Sequence, residues 1–290
     1  FADRVRSGDL GSLPVVVGLV LICTIFQSLN PIFLSPNNLV NLLFDCATVG
    51  VISLGIVCVL VLGEIDLSVG SMSGLSSAMV GVLWVNQGWP IVGAMLAALV
   101  VGAGVGLLYA TLYNRLGMPS FVATLAGLLA LLGMQLYILG PTGSINLPYA
   151  SALVRFGQIL IMPDWLSYSL ALVPGLVMIG RGLRTRTQRM AANLSAQPMR
   201  ALILKAAVLT VALEAAVFYL NLGRGIPWMF ALFVALAVIL NYALTRTKWG
   251  RSMFAVGGNK EAARRSGIVD QIGLGAALDY TFTNTTKTEG

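Results

Sequence analysis

WMFALFVALAVILNYALTRTKWGRSMFAVGGNKEAARRSGI, residues 228–268, sets an apolar run directly against a basic, glycine-punctuated insert. Its first part, about 228–244, carries no charge and at about 1.5 Å per residue covers most of a ~30 Å hydrocarbon core as a helix. The second part, 249–268, is polar and basic. Within it Asn259 is placed to act as an N-cap, and Glu261 falls in a first turn, where it complements the positive end of a helix dipole. Arg264 and Arg265 fall in the last turn, and Gly267 stands where a left-handed stop is wanted. The pattern predicts a short helix over 260–266, about 10 Å long. A helix of that length is unstable alone, so it must dock on something.

Composition extends this contrast to the whole chain. Of its 290 residues 57% are hydrophobic and 10% are charged, against about 25% charged in soluble domains. That is too little charge to cover a soluble core, which makes the chain a polytopic membrane protein. Cys23, Cys46 and Cys58 lie inside apolar runs without pairing spacing and read as packing residues. The absence of histidine removes the commonest general base and most zinc chemistry. The sequence holds no GxxxxGK[ST] phosphate loop, metal cluster or Ser-His-Asp set, so enzyme chemistry is not expected of it. Phe1 in place of Met suggests a chain that begins inside a longer one.

Apolar runs at about 13–29, 38–62, 72–86, 90–113, 121–139, 165–179, 201–222 and 228–244 give eight expected spans. The break GEIDLSVGS, 63–71, separates the second from the third. The loop 140–164 contains Pro141, Pro148 and Pro163, and its apolar stretch 153–162 is too short to span, so it reads as interfacial or re-entrant. Trp165 and Tyr168 open the sixth span as an aromatic belt, and Pro174 is a candidate kink. Residues 181–200 read as a solvated, orientation-setting loop.

With the N-terminus cytoplasmic, fifteen lysines and arginines fall in inside segments and two, Arg155 and Arg224, outside, with Lys287 unassigned. That bias supports both the count and the orientation. The expected fold class is an all-α, polytopic integral membrane protein of about eight transmembrane helices. The basic balance follows from topology and attraction to lipid headgroups, so nucleic acid is not an expected partner.

Glu261-Ala262-Ala263, three residues, then Gly267 resembles the cytoplasmic coupling loop of permease subunits of ATP-binding-cassette importers. Together with TKWGRSMFAVGGNKEAARRSGI, with GEIDLSVGSMSGL (63–75) and with NRLGMPSFVATLAGL (114–128), it makes the chain similar to the ribose, xylose and galactose branch of sugar permeases, nearest to a xylose type. The resemblance covers roughly 13–268. It implies that Gly258, Asn259, Glu261, Ala262, Ala263, Arg264 and Gly267 couple the chain to an ATP-binding subunit, which would hold ATP and magnesium. It also implies a second permease copy, a periplasmic sugar-binding protein, and residence in the bacterial inner membrane among lipid. Glu64, Asp66 and Ser68 belong to a motif near the family's translocation path. An ordinary acidic turn at the cytoplasmic face is the other reading of these residues.

Asp45, with Asn41, Gln135 and Tyr137, is a further polar residue in or beside a span, able to line a path or to bond helix to helix. Residues 1–268 read as the permease domain. Residues 269–290 show no resemblance where the family would continue into more helices, so the chain reads as truncated at its C-terminus. An ion-coupled secondary transporter and a non-transporting remnant are the alternatives.

Overall fold

The computed structural model describes residues 13–195, 198–259 and 262–263. Its helices are α1 Leu13–Leu29, α2 Pro36–Val61, α3 Val69–Gly81 continued by a π turn Val82–Asn86, α4 Ile91–Leu116 and α5 Ser120–Leu139. They continue as α6 Ala152–Gln158, α7 Asp164–Ala191, α8 Met199–Asn221, α9 Trp228–Arg246 and α10 Lys248–Gly258. Among the described residues the β contact is one isolated bridge, Ile161 with Pro227. Six helices, α2, α4, α5, α7, α8 and α9, are long and apolar enough to cross a membrane. The shorter apolar α1, and α3 with its π turn, stand where the other two spans are expected. The chain is therefore an all-α, multi-pass membrane protein.

Prolines set several of the helix starts. Pro90, Pro119, Pro163 and Pro198, each with extended ψ, immediately precede α4, α5, α7 and α8. A proline there forfeits no hydrogen bond, because the first amides of a helix have no partner within it. Large apolar side chains such as Leu99 and Val100 point outward, while alanines 47, 94, 98, 123, 171 and 206 are buried. Small residues at the contacts bring backbones close, which is how helices gain packing energy when the surrounding lipid is as apolar as leucine.

The described residues of 1–47 and 156–231 form one compact unit, and those of 48–155 and 232–290 another. In the first, α7 packs on α8. A β-carbon on Gly175 would come within 2.0 Å of Thr210 Oγ1, and one on Gly182 within 2.4 Å of the Leu202 side chain. Asn221 Nδ2 donates to Ser167 Oγ at 3.2 Å in the same seam. The apolar stretch 153–162 forms the seven-residue α6 and then pairs with the loop before α9, where Met162 N donates to Ile226 O at 2.8 Å. Residues 181–191 are not loop, as the sequence reading had them: α7 continues through Pro174 as far as Ala191. Proline at that point removes one amide, and the packing on α8 outweighs the loss. In the second unit α3 lies against α4 and α5, with the Gln135 side chain over Gly74 and the Tyr109 hydroxyl over Gly127. Gln135 thus contacts a neighbouring helix, whereas Tyr137 is exposed.

Replacing Gly175 by Val should destabilise the α7–α8 pair by about 1–3 kcal/mol through overpacking against Thr210. Gly180→Ala, with nothing within 4 Å of the added carbon, should be neutral or stabilising. Thermal unfolding of the two variants in the same detergent measures the contrast.

Candidate functional site

The stretches 63–75, 114–128 and 247–259 meet within the second unit, around the end of α2. That helix ends in a Schellman motif: Gly63 adopts φ 77, its amide bonds Leu60 O at 2.9 Å, and the Glu64 amide reaches Val59 O at 3.3 Å. The left-handed conformation requires glycine at little cost. The chain is thereby turned so that Glu64 lies beside the end of α4 and the start of α5.

Glu64 is half-buried and accepts two hydroxyl hydrogen bonds. Tyr113 Oη, on the last turns of α4, donates to Oε1 at 2.9 Å, and Ser120 Oγ, the first residue of α5, donates to Oε2 at 2.6 Å. Thr124 Oγ1 lies 3.3 Å from Ile65 O, adding a second tie from α5. One carboxylate therefore links the ends of three helices. Asp66 is used locally, since its Oδ1 accepts from Ser68 N at 2.8 Å and from Ser68 Oγ at 2.7 Å. Ser68 is buried, and its carbonyl receives the Met72 amide as α3 begins. These residues form a turn at the end of α2.

The insert after α9 contains a helix that the sequence pattern did not reveal. Thr247 starts α10: its Oγ1 donates to Ala243 O at 2.6 Å and accepts from Gly250 N at 3.2 Å. A β-carbon on Gly250 would stand 2.2 Å from Leu244 O, so the elbow between α9 and α10 is as tight as backbone allows. Gly250, Met253 and Val256 form the buried face of α10. Their i, i+3, i+6 spacing, which stays on one face of a short helix, was the available signal, masked by the glycines and arginines around them.

Gly257 lies directly on the end of α2. An added β-carbon would meet Val61 O at 1.9 Å and Leu62 C at 3.2 Å, while Gly257 O is 3.5 Å from the corresponding position on Gly63. Gly258 closes α10, and a β-carbon there meets nothing within 4 Å. Asn259 is extended, φ −161 and ψ 105, and its Oδ1 accepts from Ala262 N at 3.0 Å. Its carbonyl accepts from Ala263 N at 3.0 Å. This is the N-cap geometry expected of Asn259. Ala262 is exposed and Ala263 is buried. Glu261, Arg264 and Gly267 lie outside the described residues.

Asp45 is not brought to this cluster. It sits on an exposed face of α2, roughly four turns before the helix end. Asn41, one turn away on the same face, accepts from Arg224 Nη2, and that guanidinium lies 5.9 Å from the Phe44 ring centroid. Glu214, in the middle of α8, escaped the sequence reading: its Oε1 is buried and lacks a hydrogen-bond partner. The signal was available, because it is a lone acid in an apolar span, the criterion applied to Asp45.

Residues 38–272 match the family model described as branched-chain amino acid transport system / permease component. The chain is 31% identical over 264 residues to the xylose transport system permease protein XylH of Escherichia coli strain K12, covering 91% of this chain and 66% of that protein. It is 28% identical to XylH of Haemophilus influenzae, over 91% of this chain and 70% of that one. It is 29% identical to the ribose import permease protein RbsC of Bacillus subtilis, over 90% of this chain and 62% of the relative. The chain thus spans just under two thirds of the length of the first of these curated relatives. No solved structure matches it.

Gly257→Ala should lift α10 off the end of α2, at a cost of about 1–3 kcal/mol, while Gly258→Ala should leave it seated. Limited proteolysis between α9 and residue 263 reports the difference as faster cleavage in the first variant alone. Glu64→Leu strands the Tyr113 and Ser120 hydroxyls and should lower thermal stability more than Glu64→Gln, which can still accept from one of them.

Proposed function

Because the chain belongs to the family of branched-chain amino acid transport system permease components, we propose that it is the membrane-spanning subunit of an ATP-driven monosaccharide importer carrying xylose or a related sugar. Relatives named for xylose and ribose transport support that cargo class. The family is one of transport components, and ATP with its magnesium is assigned to a partner subunit of the bacterial inner membrane complex. A periplasmic sugar-binding protein delivers the substrate, and two copies of the permease enclose the path.

The observation that carries this reading is the seating of α10 on α2 immediately before Asn259, which caps the amide of Ala262. A push on the segment after Asn259 reaches α2 through backbone in van der Waals contact at Gly257 and Val61, with no flexible side chain between them to absorb it. From the end of α2 the displacement passes through Glu64 to Tyr113 on α4 and Ser120 on α5. Closing and opening of the partner ATPase thereby tilts helices in alternation, exposing the path to one side and then the other. Exposed Ala262, between the cap and buried Ala263, offers a small, close-packing surface to the partner.

A cysteine at Ala262 should cross-link to a co-expressed ATP-binding subunit, with a yield that changes between nucleotide-free and ATP-bound states. No cross-link in any state would count against the reading. Glu261→Ala should leave membrane insertion intact while lowering substrate-stimulated ATPase activity about tenfold or more. Uptake that depends on a proton gradient and is lost on neutralising Asp45 or Glu214 would point to ion coupling instead.

A further inference from the structure

A cleft of about 620 Å³ opens between α7 and α8, lined by the apolar Pro174, Val177, Met178, Leu202 and Leu209 and by the basic Arg181, Arg186, Arg189 and Lys205. Gly182 and Thr185 complete its wall, and among the described residues no acidic side chain lines it. We propose that this cleft binds an anionic phospholipid of the cytoplasmic leaflet, headgroup on the cations and an acyl chain on the apolar wall.

Depth along α7 supports the assignment. Trp165, in the aromatic belt position, begins the helix; Arg181 follows sixteen residues later, about 24 Å along the axis, and Arg189 about 36 Å along. A hydrocarbon core of ~30 Å therefore places these arginines around the headgroup layer, with Pro174, Val177 and Met178 inside the hydrocarbon. Lys205 rises from the first turns of α8, and its long stem lets the ammonium reach that layer. The positive-inside distribution makes this the cytoplasmic side, where acidic lipids concentrate positive segments.

Charge and shape together select the ligand. Guanidinium forks and an ammonium without a lining carboxylate match a phosphodiester, which arginine holds through paired hydrogen bonds. A free inorganic phosphate satisfies the cations but leaves the apolar wall uncovered. A zwitterionic lipid covers the wall but brings its own positive charge against those of Arg181, Arg189 and Lys205. An anionic diacyl lipid satisfies both. Burying the chain contributes roughly 25 cal/mol per Å² of apolar surface, an increment that inorganic phosphate lacks. The inference rests on the membrane topology and is independent of which solute the protein carries.

The test uses the full chain purified in neutral detergent and titrated with dioctanoyl phosphatidylglycerol, dioctanoyl phosphatidylcholine or inorganic phosphate, with adducts counted by native mass spectrometry. Phosphatidylglycerol should bind at least tenfold tighter than phosphatidylcholine, and millimolar phosphate should not displace it. The double variant Arg181→Gln with Lys205→Gln should lose about tenfold in affinity. The charge-preserving pair Arg181→Lys with Lys205→Arg should retain binding, and Arg251→Gln, on exposed α10, should match the unmodified chain. Equal binding of the two lipids overturns the proposal, as does displacement by phosphate alone, which would mark a simple anion site. An equal loss in Arg251→Gln overturns it too, since any basic patch would then serve.

Discussion

A polypeptide in hydrocarbon has no water to complete its backbone hydrogen bonds, and the structure is arranged around the places where helices must nevertheless stop. The end of α2 shows the solution in its tightest form. A glycine in left-handed conformation returns two amides to the last turn, and a second glycine, Gly257, brings α10 down onto the carbonyl that remains. A side chain at Gly257 cannot keep this separation, and one at Gly63 is disfavoured by the left-handed backbone rather than by space. The helix end becomes a junction between a membrane span and the insert that follows α9.

Glu64 extends that junction sideways. A carboxylate near the membrane is costly unless its oxygens are satisfied, and here both accept hydroxyl protons from the neighbouring helices α4 and α5. The same requirement gives Asp66 a local task, holding Ser68 at the entry to α3. Acidic residues that look alike in the sequence thus differ in reach: Glu64 ties helices far apart in the chain, whereas Asp66 shapes its own turn. Asp45 and Glu214 follow neither pattern. Asp45 faces outward from α2, and Glu214, on α8, leaves one buried oxygen unpartnered.

The helical, membrane-spanning character of the chain was legible from apolar runs and scarce charge, because lipid imposes one length and one backbone solution on every span. Asn259 as a cap was legible for a local reason, since the side chain acts on an amide three residues away. The helix α10 was not, because its buried face is made of Gly250, Met253 and Val256, and a glycine contributes nothing to an apolar pattern. The arginines after Gly180 suggested a solvated loop, yet they continue α7. A helix can leave the membrane and remain a helix when one face still packs on a neighbour.

By itself the sequence determined the fold class, the approximate spans, the clustering of the basic residues in alternate connecting segments, and the motifs that resemble sugar permeases. These follow from properties carried by each segment alone: length, polarity and short-range capping. Only the tertiary structure decided that stretches 63–75, 114–128 and 247–259 converge, and that Gly257 rests on Val61 while Glu64 bonds Tyr113 and Ser120. The reason is physical: those contacts join residues far apart in the chain, and their partners are chosen by the close approach of backbones, which glycine permits but does not specify.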